Sequence, residues 1–258
     1  MKIVFLIEKY GNHCNRLFQS LHFNALCINE NSVFFNISLL GILKYDNYFF
    51  KIFDILNNLV LTFISRRLKR FYKKGKISFR FLKSNEIILV KGWDFRSEKF
   101  TEKYHKELKE IYSFKKSFSK EFDNLVNNLT SLKSEGKYLV GIHLRRGDYK
   151  QWKEGKYFFS DATYNKVINQ LRDILKEEKK DPFLIAVSDQ NISNCINYDL
   201  KYDNGRWIDD QFLLQQCDLI VGPPSTFTMW ASYISQTPLI KIKSNGQIDF
   251  KNKSICIG

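Results

Sequence analysis

The chain is predicted to be an α/β protein with two parallel-sheet domains, and three observations carry that expectation. Short apolar runs rich in β-branched residues alternate with segments of 3.6-residue periodicity along the whole chain. There are no internal repeats or low-complexity linkers, and Pro and Gly are scarce (4 and 12 of 258 residues). A hydrophobic content of 44% supplies a core large enough for one large domain or two small ones.

Taken in order, Lys2–Ile7 reads as a first strand, followed by an amphipathic helix over Asn15–Asn29. Leu17, Phe18, Leu21, Ala25 and Ile28 share one face of that helix. Val33–Asn36 and Ile87–Val90 read as strands, with a long helix over Tyr48–Tyr72 between them. Helices follow over Glu98–Tyr112 and Ser117–Lys133. The polar stretch Lys133-Ser134-Glu135-Gly136-Lys137 then marks a boundary, dividing the chain into domains 1–136 and 137–258.

The second half repeats the βα pattern more clearly. Leu139–Leu144, Phe183–Val187, Asp218–Val221 and Leu239–Ile242 read as buried strands. Helices over Asp161–Lys180, Asp209–Cys217 and Thr226–Ser235 separate them, the first capped by Ser160 or Asp161. Repeated units of this kind build a parallel, doubly wound sheet.

Charge and cysteine usage narrow the function classes. Five scattered cysteines without a CxxC pair, and four histidines without ligand spacing, predict neither a disulfide framework nor a structural metal. The first apolar run is too short for a signal peptide or a membrane span, which makes a cytoplasmic location the expectation. The net charge of +14 is uneven, because nine basic residues fall between Arg66 and Lys83 with no acid among them. Interleaved with Phe71, Tyr72, Phe79 and Phe81, that segment reads as a solvated face or as a contact with an anionic membrane surface. Nucleic acid is the least favoured partner.

Three segments carry chemistry. Tyr10–Gln19 joins the first strand to the first helix and presents Asn15 and backbone N–H groups at a helix N-terminus. His143-Leu144-Arg145-Arg146-Gly147-Asp148 ends a buried strand, where alternation sends His143 and Arg145 to one face and Arg146 to the other. One guanidinium can then meet a phosphate or diphosphate while its neighbour braces the loop through Asp148. Asp209-Asp210 opens a helix whose exit strand leads to Ser225-Thr226 at the next helix start, a second anion-binding position.

The His143–Asp148 segment resembles the H-x-R-R-x-D signature of the GDP-fucose-dependent fucosyltransferases. The Asp209–Ile234 stretch resembles the α-1,2-fucosyltransferases, glycosyltransferase family 11, in particular. The Gly11–Phe18 turn is similar to that family's opening G-x-x-G-N-Q-[LM] segment, with Cys14 in place of the second glycine and Arg16 in place of the glutamine.

This resemblance implies a GT-B-type fold of two facing Rossmann-like domains, the first on the acceptor side and the second binding the donor. It implies metal-independent, inverting transfer of L-fucose from GDP-β-L-fucose to a hydroxyl of an oligosaccharide or glycolipid, with no cofactor beyond the donor substrate. Arg145 then binds the diphosphate, His143 and Asp209 contact guanine, Ser225 and Thr226 contact phosphate, and Arg146 and Asp148 hold the loop. Asn15 is a further donor-binding candidate, and Asp148 and Glu154 are the candidates for general base. Two other readings stand beside this one: a GDP-sugar-binding module without turnover, and a membrane-surface scaffold using residues 66–83.

Overall fold

The computed structural model describes residues 2–6, 10–36, 87–90, 93–113, 118–202 and 206–256. The expected helix Tyr48–Tyr72 and the basic segment Arg66–Lys83 lie outside the described residues. The chain divides into a first unit that runs to Ser117 and a second over Phe118–Cys256.

In the first unit, β1 (Ile3–Leu6) is the centre of a parallel sheet, flanked by β2 (Val33–Asn36) and β3 (Ile87–Val90). The helix α1 (His13–Asn29) is buried along most of its length, and Phe23 and Cys27 pack with Val4, Leu6 and Val90. Burial of so many α1 positions requires partners for its polar ones. Ser20 Oγ and Tyr112 Oη lie 2.6 Å apart, and His22 Nδ1 accepts the Ser97 N–H at 3.1 Å. The expected helix over Glu98–Tyr112 is two helices, α2 (Glu98–Lys103) and α3 (His105–Tyr112), broken where Tyr104 leaves helical geometry at φ −105°.

The second unit holds a five-stranded parallel sheet in the order β6-β5-β4-β7-β8. Its strands are β4 (Lys137–Leu144), β5 (Asp181–Ser188), β6 (Leu200–Lys201), β7 (Leu219–Gly222) and β8 (Leu239–Lys241). The long pair β4–β5 runs in register from Lys137↔Asp181 to Leu144↔Ser188. Both sheet faces are covered, as continuous apolar strands demand. On one side α5 (Asp161–Glu177) contributes Tyr164, Val167, Ile168, Leu171 and Leu175. On the other lie α4 (Lys120–Ser134), α6 (Trp207–Gln215) and α7 (Thr226–Ser235).

Two expectations shift here. The division falls at Phe118 rather than at Gly136, because Phe122 and Leu129 of α4 pack with Leu139, Ile185 and Leu213 of the second unit. The helix read as Asp161–Lys180 ends at Glu177, where Lys179 turns to φ +58° and feeds β5.

Chain order within this sheet defines its ligand edge. From β4 the chain moves outward through β5 to β6, then returns across β4 to β7 and β8. The carboxyl ends of β4 and β7 therefore flank the point where the winding direction reverses, the place where open α/β sheets leave a crevice.

Candidate functional site

The turn leaving β4 is built around Arg145, Arg146 and a carboxylate from the neighbouring strand. Because Leu144 pairs with Ser188, the residues just beyond them, Arg145 and Asp189, stand side by side. Arg145 Nη1 lies 3.3 Å from Asp189 Oδ2, and Arg145 Nη2 lies 2.8 Å from Asp148 Oδ1. Arg145 Nε is buried and has no hydrogen-bond partner among the described residues. The other jobs of Asp189 are structural, since its oxygens accept the backbone N–H groups of Arg146 at 2.8 Å and Gly147 at 3.0 Å. A Cβ on Gly147 would stand 2.6 Å from Asp189 Oδ2, so the close approach of that carboxylate requires glycine.

Arg146 points to the opposite side, as strand alternation predicts. Its guanidinium bonds Asp161 in the first turn of α5 and lies over the Tyr164 ring, 5.6 Å from its centroid. The bracing partner is thus Asp161, and Asp148 pairs with Arg145 instead. The cause is geometric: Asp148 follows on Arg145's side of the turn, and the start of α5 lies on Arg146's side.

Tyr149 ties this turn to the next loop, its hydroxyl donating to the carbonyl of Pro224. That loop leaves β7 and enters α7, where Ser225 Oγ accepts the Phe227 N–H at 3.2 Å as N-cap. Ser225 and Thr226 are both half-buried at this helix start. His143 lies underneath, 2% exposed, with its ring 4.8 Å from that of Phe227. Burial first, and the Arg145 charge second, bring its pKa down to about 3, so the imidazole is neutral.

No contact with the arginine pair is described for the remaining expected residues. Asp209 is buried in the first turn of α6 with Oδ1 3.0 Å from Arg206 Nη2, and Gln211 of the same helix donates to the Phe227 carbonyl at 2.6 Å. Glu154 lies in the exposed turn Trp152–Gly155 at φ +59°. Asn15 belongs to the first turn of α1 in the first unit. The sequence reading missed Asp189, Asp161 and Tyr149 as partners of the arginine pair. Only the position of Asp189 immediately after an expected strand could have signalled it.

Among the described residues, no group of three or more His, Cys, Asp or Glu side chains is placed to hold a metal ion. Within the same residues, no helix is long and apolar enough to cross a membrane.

The fold resembles several solved structures. NodZ alpha-1,6-fucosyltransferase soaked with GDP-fucose superposes with a TM-score of 0.52 at 12% identity, covering 97% of this chain and 96% of that one. POFUT1 in complex with GDP gives 0.46 at 10% identity, covering 92% and 94%. An Arabidopsis thaliana FUT1 mutant in complex with GDP gives 0.42 at 12% identity, covering 98% and 73%. No curated protein matches the chain in sequence. The family model for glycosyl transferase family 11 matches residues 15–254. With nearly the whole chain inside that match, from the first turn of α1 past the strands behind Arg145 and Ser225, this protein belongs to glycosyl transferase family 11.

Proposed function

We propose that the protein is an inverting fucosyltransferase that moves L-fucose from GDP-β-L-fucose to a hydroxyl of an oligosaccharide or glycolipid, forming an α-1,2 linkage. The observation that carries this reading is Arg145, aimed from the carboxyl end of β4 with a buried Nε–H that has no described protein partner. A diphosphate supplies the oxygen acceptors that such a donor edge lacks. Membership of family 11 sets the reaction class, and the solved NodZ structure of similar fold was soaked with GDP-fucose.

In this mechanism the acceptor oxygen attacks fucose C1 as the C1–O bond to the β-phosphate breaks, which inverts the β-fucoside to an α-fucoside. Negative charge grows on the departing phosphate oxygen, and Arg145 offsets it without a divalent metal. The Ser225 and Thr226 region at the α7 N-terminus provides further N–H and hydroxyl donors to phosphate. His143 and Asp209 serve the guanine side, and Asn15 is a further donor-binding residue. The second unit takes the donor, and the first serves the acceptor.

Removal of the acceptor proton falls to a carboxylate. Glu154, exposed and without an ion-pair partner among the described residues, is the better placed candidate than Asp148, which is engaged with Arg145. In the cell we place the enzyme in the cytoplasm, peripheral to the inner membrane face through Arg66–Lys83, where a lipid-linked acceptor would be presented.

Incubation with GDP-fucose and a panel of oligosaccharides, with NMR of the product, tests the reading. A fucosylated product with an α-1,2 linkage is the expected result. GDP-fucose that neither binds nor turns over would overturn it.

A further inference from the structure

The two carboxylates on Arg145 are not equivalent. We propose that Asp189 is a positioning residue that stays on the guanidinium throughout, while Asp148 is a counter-ion that the donor diphosphate displaces. This inference rests on the reading of Arg145 as the diphosphate ligand.

A guanidinium offers two bidentate edges, and the side-on edge is made of Nε–H and one N–H of Nη2. Asp189 holds Nη1, off that edge, at 3.3 Å. Asp148 sits on Nη2 at 2.8 Å, while Nε on the same edge is buried without a described partner. Of the two nitrogens on the side-on edge, Asp148 approaches only Nη2, and Nε–H is open to an acceptor. A phosphate oxygen pair can take both donors at once, and gains most where Asp148 gives way.

The attachment of each carboxylate to the rest of the fold agrees with this division. The Asp148 side chain is 55% exposed, and its ion pair with Arg145 spans three residues of the same turn. An exposed pair of that kind is weakly held. The Asp189 side chain is 22% exposed and also accepts the N–H groups of Arg146 and Gly147. It occupies the space that Gly147 leaves by having no Cβ. Removing Asp189 would free backbone and guanidinium together, whereas releasing Asp148 frees only its own side chain. With Asp148 displaced, Arg145 keeps a single carboxylate, and its charge is available to the β-phosphate as the fucose bond breaks.

Neutralising the two carboxylates separately must therefore change donor affinity in opposite directions. In calorimetric titrations of the full chain with GDP, Asp148→Asn is expected to bind about threefold more tightly than wild type, because a competing anion is gone. Asp189→Asn is expected to bind about tenfold more weakly while retaining a cooperative thermal transition. A residue with a merely structural role would not produce this opposition of sign. Affinities that move in the same direction, or an unchanged affinity in Asp189→Asn, would overturn the division.

Should Asp189→Asn fail to fold, wild-type protein labelled with 15N-arginine decides the matter. The Arg145 Nε–H resonance, identified by its loss in Arg145→Lys, is expected to move downfield at saturating GDP, and a resonance that stays in place would refute the side-on exchange. A wild-type chain that does not bind GDP at all would remove the donor reading itself. GDP binding with two like-behaving variants would remove only the roles given to Asp148 and Asp189.

Discussion

Two strands of parallel sheets, β1 and β4, are each followed along the chain by arginine, and the two segments hold it by different means. After β1, Arg16 in the first turn of α1 donates from Nε to the carbonyl of Gly11 at 3.1 Å, just ahead of the helix. Gly11 sits at φ +56°, and the Asn15 side chain fills the space over it, with Nδ2 2.1 Å from where a Cβ would stand. After β4, Arg145 is paired with Asp148 of its own turn and also with Asp189 at the end of β5, and Arg146 is held by Asp161 at the start of α5. A guanidinium bonded only within its own segment closes that segment, whereas one also fixed by a neighbouring element can be aimed at something else. The difference separates an arginine that shapes a connection from a pair that forms a site.

The largest effect that can break this contrast is the loss of Arg145. Arg145→Ala is expected to lower turnover by about a hundredfold or more, as removal of a donor to developing charge does. Steady-state kinetics beside GDP calorimetry would measure it. Near-normal activity in this variant would end the assignment.

Arg146→Ala is expected to act on stability instead. It strips the partner from Asp161 at a half-buried site and removes a cation lying over Tyr164. Breaking a buried pair costs about 3–5 kcal/mol, and the 34% exposure of Asp161 reduces that to about 2 kcal/mol. Urea unfolding of the two single variants would separate them. Equal stability losses in Arg145→Ala and Arg146→Ala would erase the distinction between ligand and brace.

A smaller effect sharpens the picture of the base of the site. His143 has a folded pKa of about 3 against an ordinary value of 6.5. The unfolded chain therefore binds more protons between those values, so stability rises with pH in that window and is lost as pH falls through it. Between pH 6 and pH 5 this residue alone removes about 1 kcal/mol. In His143→Gln the acid limb of the unfolding free energy is expected to be shallower by that amount. An unchanged limb would mean that the imidazole is not buried beside Phe227.

Much of this was legible from the chain because the decisive information is local. The run Leu139–Leu144 followed by Arg145-Arg146 gives both a buried strand and the residues at its end, and alternation alone separates the directions of the two arginines. Partners were illegible for the opposite reason. Asp189 meets Arg145 only through the β4–β5 register, and Asp161 meets Arg146 only because α5 covers that side of the sheet. Asp148 suggests itself as the brace only because it is near in sequence, whereas the actual contact is non-local. Likewise α4 was placed before the boundary because polar residues follow it, although Phe122 and Leu129 commit it to the later unit. The two-residue strand β6 is too short to leave a periodic signal.

The smallest expected effect is the most pointed test of the contrast between the segments. Arg16 is half-buried, its Nε donates to an exposed carbonyl just ahead of its own helix, and the pair spans five residues. Solvent can replace that bond, so Arg16→Ala is expected to cost less than about 1 kcal/mol. The same substitution is expected to leave GDP affinity within about twofold of wild type, a change too small for loss of a phosphate ligand. Calorimetry on Arg16→Ala beside Arg145→Ala gives the comparison directly. A tenfold loss of GDP affinity in Arg16→Ala would show that the start of α1 also reaches the donor, and that a guanidinium bonded only within its own segment can still serve a ligand.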